Sequence, residues 1–188
     1  MEQDSPIYRD KLYDQIEDAY AKVVYTYTVQ HKQAEIISKR NSFLKILQIV
    51  LSAITSCGLF AVLLSGCDSL NKLNAVLSTA ALALSYYLSV ANLDVQELKH
   101  LATANSLWIL RERYVSLLTD FEVLPVEEVT KRRDELMETV AKIYDVAPKT
   151  SDDAYEKAQE ALKDNEEQYF SREEKNKLLP EKLRKYSN

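Results

Sequence analysis

The chain has 188 residues, a formal net charge of −5 and 28% charged residues, enough for one domain of ordinary size. The negative balance argues against a general nucleic-acid-binding role. Only two glycines, two histidines and two cysteines are present, with neither a glycine-rich phosphate loop nor a zinc-ligand spacing, so no enzyme activity, cofactor or metal is expected.

The start, residues 1–10, is acidic and polar and lacks the basic segment and apolar run of a cleaved signal peptide. Residues 7–43 read as one amphipathic stalk helix behind Pro6. Tyr13, Ile16, Tyr20, Val23, Tyr27, Gln30, Ala34 and Ile37 recur at alternating spacings of three and four, the seam of a helix packed lengthwise on another. At 1.5 Å per residue it extends roughly 55 Å and is expected to enter the next segment without a break.

Residues 44–93 organise the chain. The stretches 46–67 and 73–93 are uncharged, largely apolar and each just over 20 residues long, joined by a connection holding Asp68 and Lys72. A helix needs roughly 20 apolar residues to cross a bilayer, and its backbone must be satisfied internally there. The pair is expected to be a transmembrane hairpin; a buried hairpin in a soluble bundle is the alternative. Lys32, Lys39, Arg40 and Lys45 crowd the start of the first span, which predicts both termini on the cytoplasmic side. Cys57 lies in the first span and Cys67 at its outer end. The run Leu64 to Cys67 resembles a lipoprotein processing box, but it follows a long polar helix and is not expected to serve as one.

Residues 94–123 read as a returning stalk helix. Leu107, Leu110, Tyr114, Leu117 and Phe121 form one face, and Leu98, Leu101 and Trp108 add apolar surface nearer the membrane. Residues 124–188 read as a cap of short helices. Pro125 precedes a helix with Val129, Leu136, Val140 and Ile143 on its buried face; Ser151 caps the next, and Ser171 with Glu174 forms a capping box for another. The fold class is therefore an all-α membrane protein: a two-span hairpin continued by long cytosolic helices, with a short-helix C-terminal cap.

Polar residues in the spans are not scattered. Asn74, Ser78, Ser85, Ser89 and Asn92 fall within an arc of about 60° on the second span, and Gln48, Ser52, Thr55 and Ser56 within about 100° on the first, in line with Lys45. These nine are candidate pore-lining residues if several hairpins assemble, since one hairpin encloses nothing. Helix packing, or bonding back to the helix's own carbonyls, is the alternative role. Arg111, Arg113, Lys131, Arg132 and Arg133, and a last basic turn with Lys182, Arg184 and Lys185, are candidate contacts to a partner's acids or a phosphate, with pairing to local acids as the alternative. His31 and His100 lie one on each stalk helix.

A long N-terminal helix, a two-span hairpin and a helical tail resemble the SLATT effector proteins of bacterial conflict systems. The segments 108–114 (WILRERY), 117–121 (LLTDF), 143–148 (IYDVAP) and 154–158 (AYEKA), with Leu179-Pro180, are similar to the branch found beside defence reverse transcriptases. The resemblance implies an inner-membrane effector of an antiviral, abortive-infection system. It implies homo-oligomerisation and membrane permeabilisation on a signal from a reverse transcriptase or nucleotide-signalling enzyme encoded nearby. It supplies no catalytic residues. A membrane-anchored scaffold that recruits or restrains a soluble defence enzyme is the competing reading.

Overall fold

A computed structural model describes residues 5–65, 68–180 and 184; six helices and no strand form among them. The first, α1, runs unbroken from Pro6 to Ser65, 60 residues. Proline at its first position costs no hydrogen bond, and the Ser5 hydroxyl accepts from the Tyr8 amide at 3.2 Å. No further proline interrupts it, so stalk and first apolar run form one rod about 90 Å long.

The return path is broken. Helix α2 spans Asp68–Ala91 and α3 spans Leu93–Asp120; Asn92 between them is left-handed, with φ 48° and ψ 43°. Asparagine tolerates this conformation better than most residues, because its short polar side chain bonds locally; here Nδ2 donates to the Val90 carbonyl at 3.2 Å. Both α2 and α3 pack along α1.

Two helices are long and apolar enough to cross a membrane, with mean hydropathies of 2.2 and 1.4 in their most apolar windows. None of the first window and 6% of the second is buried by the rest of the chain. A core helix of a soluble bundle would be covered, so the alternative of a buried hairpin loses its main support.

The α1 seam is longer than the sequence pattern suggested. Ile16, Val23, Gln30, Ala34 and Ile37 are buried as expected, but at the N-terminal end Leu12 takes the buried place and Tyr13 is pushed to its flank, edge-on to Phe121 at 5.1 Å. Beyond Ile37 the seam does not stop. Asn41, Leu44, Gln48, Leu51, Thr55, Gly58 and Val62 continue the same spacing, all buried or half-buried. The helix thus keeps one face turned to its neighbours from its N-terminal end through the apolar run.

The core lies far from the apolar runs. Leu107, Leu110, Tyr114, Leu117 and Phe121 of α3 close on Leu12, Ile16 and Val23 of α1, with Val126, Val129 and Leu136 of α4 (Val126–Val146) filling the third side. Val140 and Ile143 extend this cluster. Arg9 fixes the turn after α3: it donates to the Phe121 carbonyl at 2.7 Å and sits over the Phe121 ring. Helix α5 (Asp152–Lys163) is capped by Ser151 and lays Ala154 and Ala158 against Val29. Helix α6 (Arg172–Leu178) carries the capping box of Ser171 and Glu174, and none of its residues is buried.

Candidate functional site

The candidate site is the polar face of the paired apolar helices and their junction with α3. Two of the nine polar residues bond to each other: Gln48 Nε2 donates to Ser85 Oγ at 2.8 Å, and Ser85 Oγ donates onward to the Ala81 carbonyl at 2.9 Å. Asn74 is half-buried beside Gly58, so close that a Cβ on Gly58 would stand 2.5 Å from Asn74 Oδ1. That oxygen is buried and meets no donor among the described residues. Thr55, on the α1 seam, is half-buried. These four form a polar ridge inside the hairpin.

The others face outward or sit at its end. Ser52, Ser56, Ser78 and Ser89 are exposed. The Ser52 carbonyl accepts from Thr55 Oγ1 at 3.0 Å and Ser56 Oγ at 2.9 Å, and Ser78 Oγ donates to the Asn74 carbonyl at 2.7 Å. Back-bonding satisfies the Thr55, Ser56 and Ser78 hydroxyls in a water-free setting, while their second lone pairs stay open to water or another helix. Asn92 forms the helix break itself. The polar arc of α2 therefore straddles the edge of the hairpin seam: Asn74 and Ser85 inside, Ser78 and Ser89 on the shoulder.

Three side chains of α1 bracket that break. Arg40 donates to the Tyr87 hydroxyl at 2.8 Å on one side. On the other, Asn41 Nδ2 reaches Asp94 Oδ1 at 2.6 Å and Lys45 Nζ reaches both Asp94 oxygens at 2.9 Å. Asn41 is buried, so its amide fixes the start of α3. Sequence reading missed this bracket; Asn41 on the seam of a basic stretch was the available signal.

Further from the membrane, His100 is buried on α3 with its Nδ1 2.6 Å from Gln30 Oε1. Gln30 Nε2 donates to the Pro148 carbonyl at 3.1 Å, which fixes the amide and requires His100 Nδ1 to carry the proton. Burial holds the His100 pKa below the ordinary imidazole value. Gln33 Oε1 accepts from both the amide (2.7 Å) and hydroxyl (2.8 Å) of Ser151. The apparent polar flaws of the α1 seam thus tie the cap to the stalk. His31 is exposed near the Tyr27 ring and takes no part.

The basic candidates mostly meet local acids. Arg111 pairs with Glu112 at 2.9 Å, Arg132 with Glu128 at 2.7 Å, and Arg133 with Asp134 at 2.7 Å and with Gln15 at 2.9 Å. Arg132 holds the Glu128 carboxyl below its ordinary range. Arg113 and Arg132 line a cleft of about 270 Å³ between α3 and α4, and Lys131 is exposed on α4. Arg184 donates to the Leu179 and Lys177 carbonyls; Lys182, Lys185 and Cys67 lie outside the described residues. Cys57 is an exposed free thiol. Among the described residues no group of histidines, cysteines and acids is arranged to hold a metal ion.

Residues 12–174 match the SMODS and SLOG-associating 2TM effector domain family 4 (SLATT_4). The chain belongs to this family. No curated protein and no solved structure matches it. The SLATT_4 match runs from the first turns of α1 to α6, so the apolar pair, the stalk and the cap are parts of one family domain. A two-membrane-span effector domain agrees with the two apolar, uncovered helices and points to a membrane location for this SLATT_4 chain.

Proposed function

We propose that this chain is the membrane effector of an antiviral, abortive-infection system, which assembles several hairpins and permeabilises the inner membrane when an upstream partner signals infection. The partner class is a nucleotide-signalling enzyme or, from the resemblance of the α3 to α6 segments, a reverse transcriptase. Both termini face the cytoplasm, because Lys39, Arg40 and Lys45 stand at the inner end of the first span.

The observation that carries this reading is the outward polar shoulder. Ser52, Ser56, Ser78 and Ser89 expose hydroxyls on the outside of a hairpin whose own interior is already closed by Gln48 and Ser85. Isolated in lipid, such a shoulder gains nothing; brought together from several copies it lines a hydrated path. A switch between dispersed and assembled states needs a differential affinity for the trigger of only a few kcal/mol.

Following a potential-sensitive dye in cells that hold the chain, its genomic neighbours and a phage challenge tests the reading. Depolarisation dependent on this chain is expected. A sealed membrane in cells that are nonetheless protected would transfer the role to an anchor or scaffold. That second reading has its own supporting observation: Gln48 bonds to Ser85 and Asn74 lies against Gly58 between α1 and α2, as residues serving helix packing would.

A further inference from the structure

The seam by which α2 meets α1 is Asn74, Leu77, Ala81, Leu84, Leu88 and Ala91, each buried or half-buried, at alternating spacings of three and four. Continued in the same rhythm it gives Val95, Leu98, Ala102, Asn105 and Ile109. All five are exposed, with Val95 at 49%, Leu98 at 62% and Ile109 at 58%. The left-handed Asn92 turns α3 so that His100, Ala104, Leu107, Leu110 and Tyr114 face α1 instead. An uncharged heptad seam is thereby rotated outward, ending at Glu112. We propose that this seam is a self-association surface: it pairs, parallel and in register, with the same seam of a second copy.

Three observations select that occupant. The bilayer covers only its first part: headgroups reach about 5–8 Å beyond the hydrocarbon core, so Val95 and Leu98 stand at headgroup depth while Ala102, Asn105 and Ile109 stand beyond it. Helix α3 follows the continuous rod of α1 outward, and Ile109 lies about 24 Å beyond the last residue of the second apolar run. The chain's own α1 does not cover it either, because straightening α3 would expose Leu107, Leu110, Tyr114 and Leu117 in exchange for a smaller set of side chains. A second copy in the same membrane presents the same seam, at the same height and pointing the same way. Asn105, the fourth of the five seam positions, is the polar insertion that favours parallel, in-register pairing of two strands. Trp108, 47% exposed, flanks the contact. Glu112, held by its neighbour Arg111 at 2.9 Å, ends it with like charges that block a slip toward the cap.

This inference rests on the membrane placement used above but not on pore formation. The experiment is a single-cysteine scan of the full chain in cell membranes, with Cys57→Ser and Cys67→Ser as background. Under mild oxidation Leu98→Cys, Asn105→Cys and Ile109→Cys should shift the 21.6 kDa chain to a band of twice that mass. Lys99→Cys and Arg113→Cys on the flanks should not. The same scan in a Ser78→Leu/Ser89→Leu background should give the same bands, which separates association from leakage. Uniform cross-linking at all five positions, no dimer at any of them, or capture of a different protein at Ile109→Cys would overturn the proposal. Ile109→Glu gives an independent check: the Asn105→Cys dimer band should be lost in the double variant, and its persistence would also overturn it.

Discussion

Asn74 and Gly58 show how tightly the two apolar helices are specified at single positions. A methyl at Gly58 meets an amide oxygen that can swing away, whereas a branched side chain forces the helices apart. Gly58→Val should destabilise the hairpin by about 1–3 kcal/mol. Thermal unfolding in detergent reads this, and Asn74→Ala in the same chain should recover most of the loss. Lack of recovery would mean the two residues do not meet. His100 gives a second test at this scale. Burial depresses its folded pKa, so the fold prefers the neutral ring. Stability from this group is therefore present above the unfolded value of about 6.5 and is lost as pH falls from there through the lower folded value. The wild-type melting temperature should drop between pH 7.5 and 5.5, and His100→Gln should flatten that drop. Equal slopes for the two proteins would show that His100 is not protonated on unfolding in this range.

The elements were legible in the sequence wherever periodicity alone decides them. The α3 face from Leu107 to Phe121 and the caps at Ser151 and Ser171 followed from spacing and cap chemistry. Tyr13 misled because aromatic rings rank with the core in a pattern, yet its bulk fits better at the rim, where Leu12 leaves room. The polar arc of α2 was visible, but its division between seam and shoulder was not, since that depends on how α1 rolls against it. Least legible was the break at Asn92. Neither glycine nor proline marks it, and only the bracket of Arg40, Asn41 and Lys45 shows why the chain turns there. Alanine at Asn92 meets the steric cost of a left-handed residue, about 1–2 kcal/mol, while glycine avoids it. Asn92→Ala should lower the melting temperature and shift the Leu98→Cys cross-link, and Asn92→Gly should do neither. Matching behaviour of the two variants would mean the left-handed turn is not what orients α3.

At the scale of the molecule, α1 is a single lever about 90 Å long that touches the cap at one end and the second apolar helix at the other. Gln30, Gln33 and the pair Lys32–Glu167 at 2.8 Å clasp the cap to it. Ser151→Ala removes both the α5 cap and one bond to Gln33, a loss of about 1 kcal/mol for the cap alone. Limited proteolysis should then cut the 147–163 region sooner while the α3 core stays protected. If cleavage is unchanged, the clasp does not depend on Ser151. In the proposed mechanism a signal received by the α4–α6 helices has a continuous path along this helix to the apolar pair, and the outward serines line the path that assembly opens.

The central claim is that those serines come to face water when the effector acts. The direct measurement is reaction of a membrane-impermeant thiol reagent with Ser78→Cys and Ser89→Cys in a chain carrying Cys57→Ser and Cys67→Ser, before and after the system is triggered in cells. Labelling that rises on triggering and diminishes the dye-reported leak is the predicted result. A leak that proceeds at full size while both cysteines stay unlabelled would contradict the account.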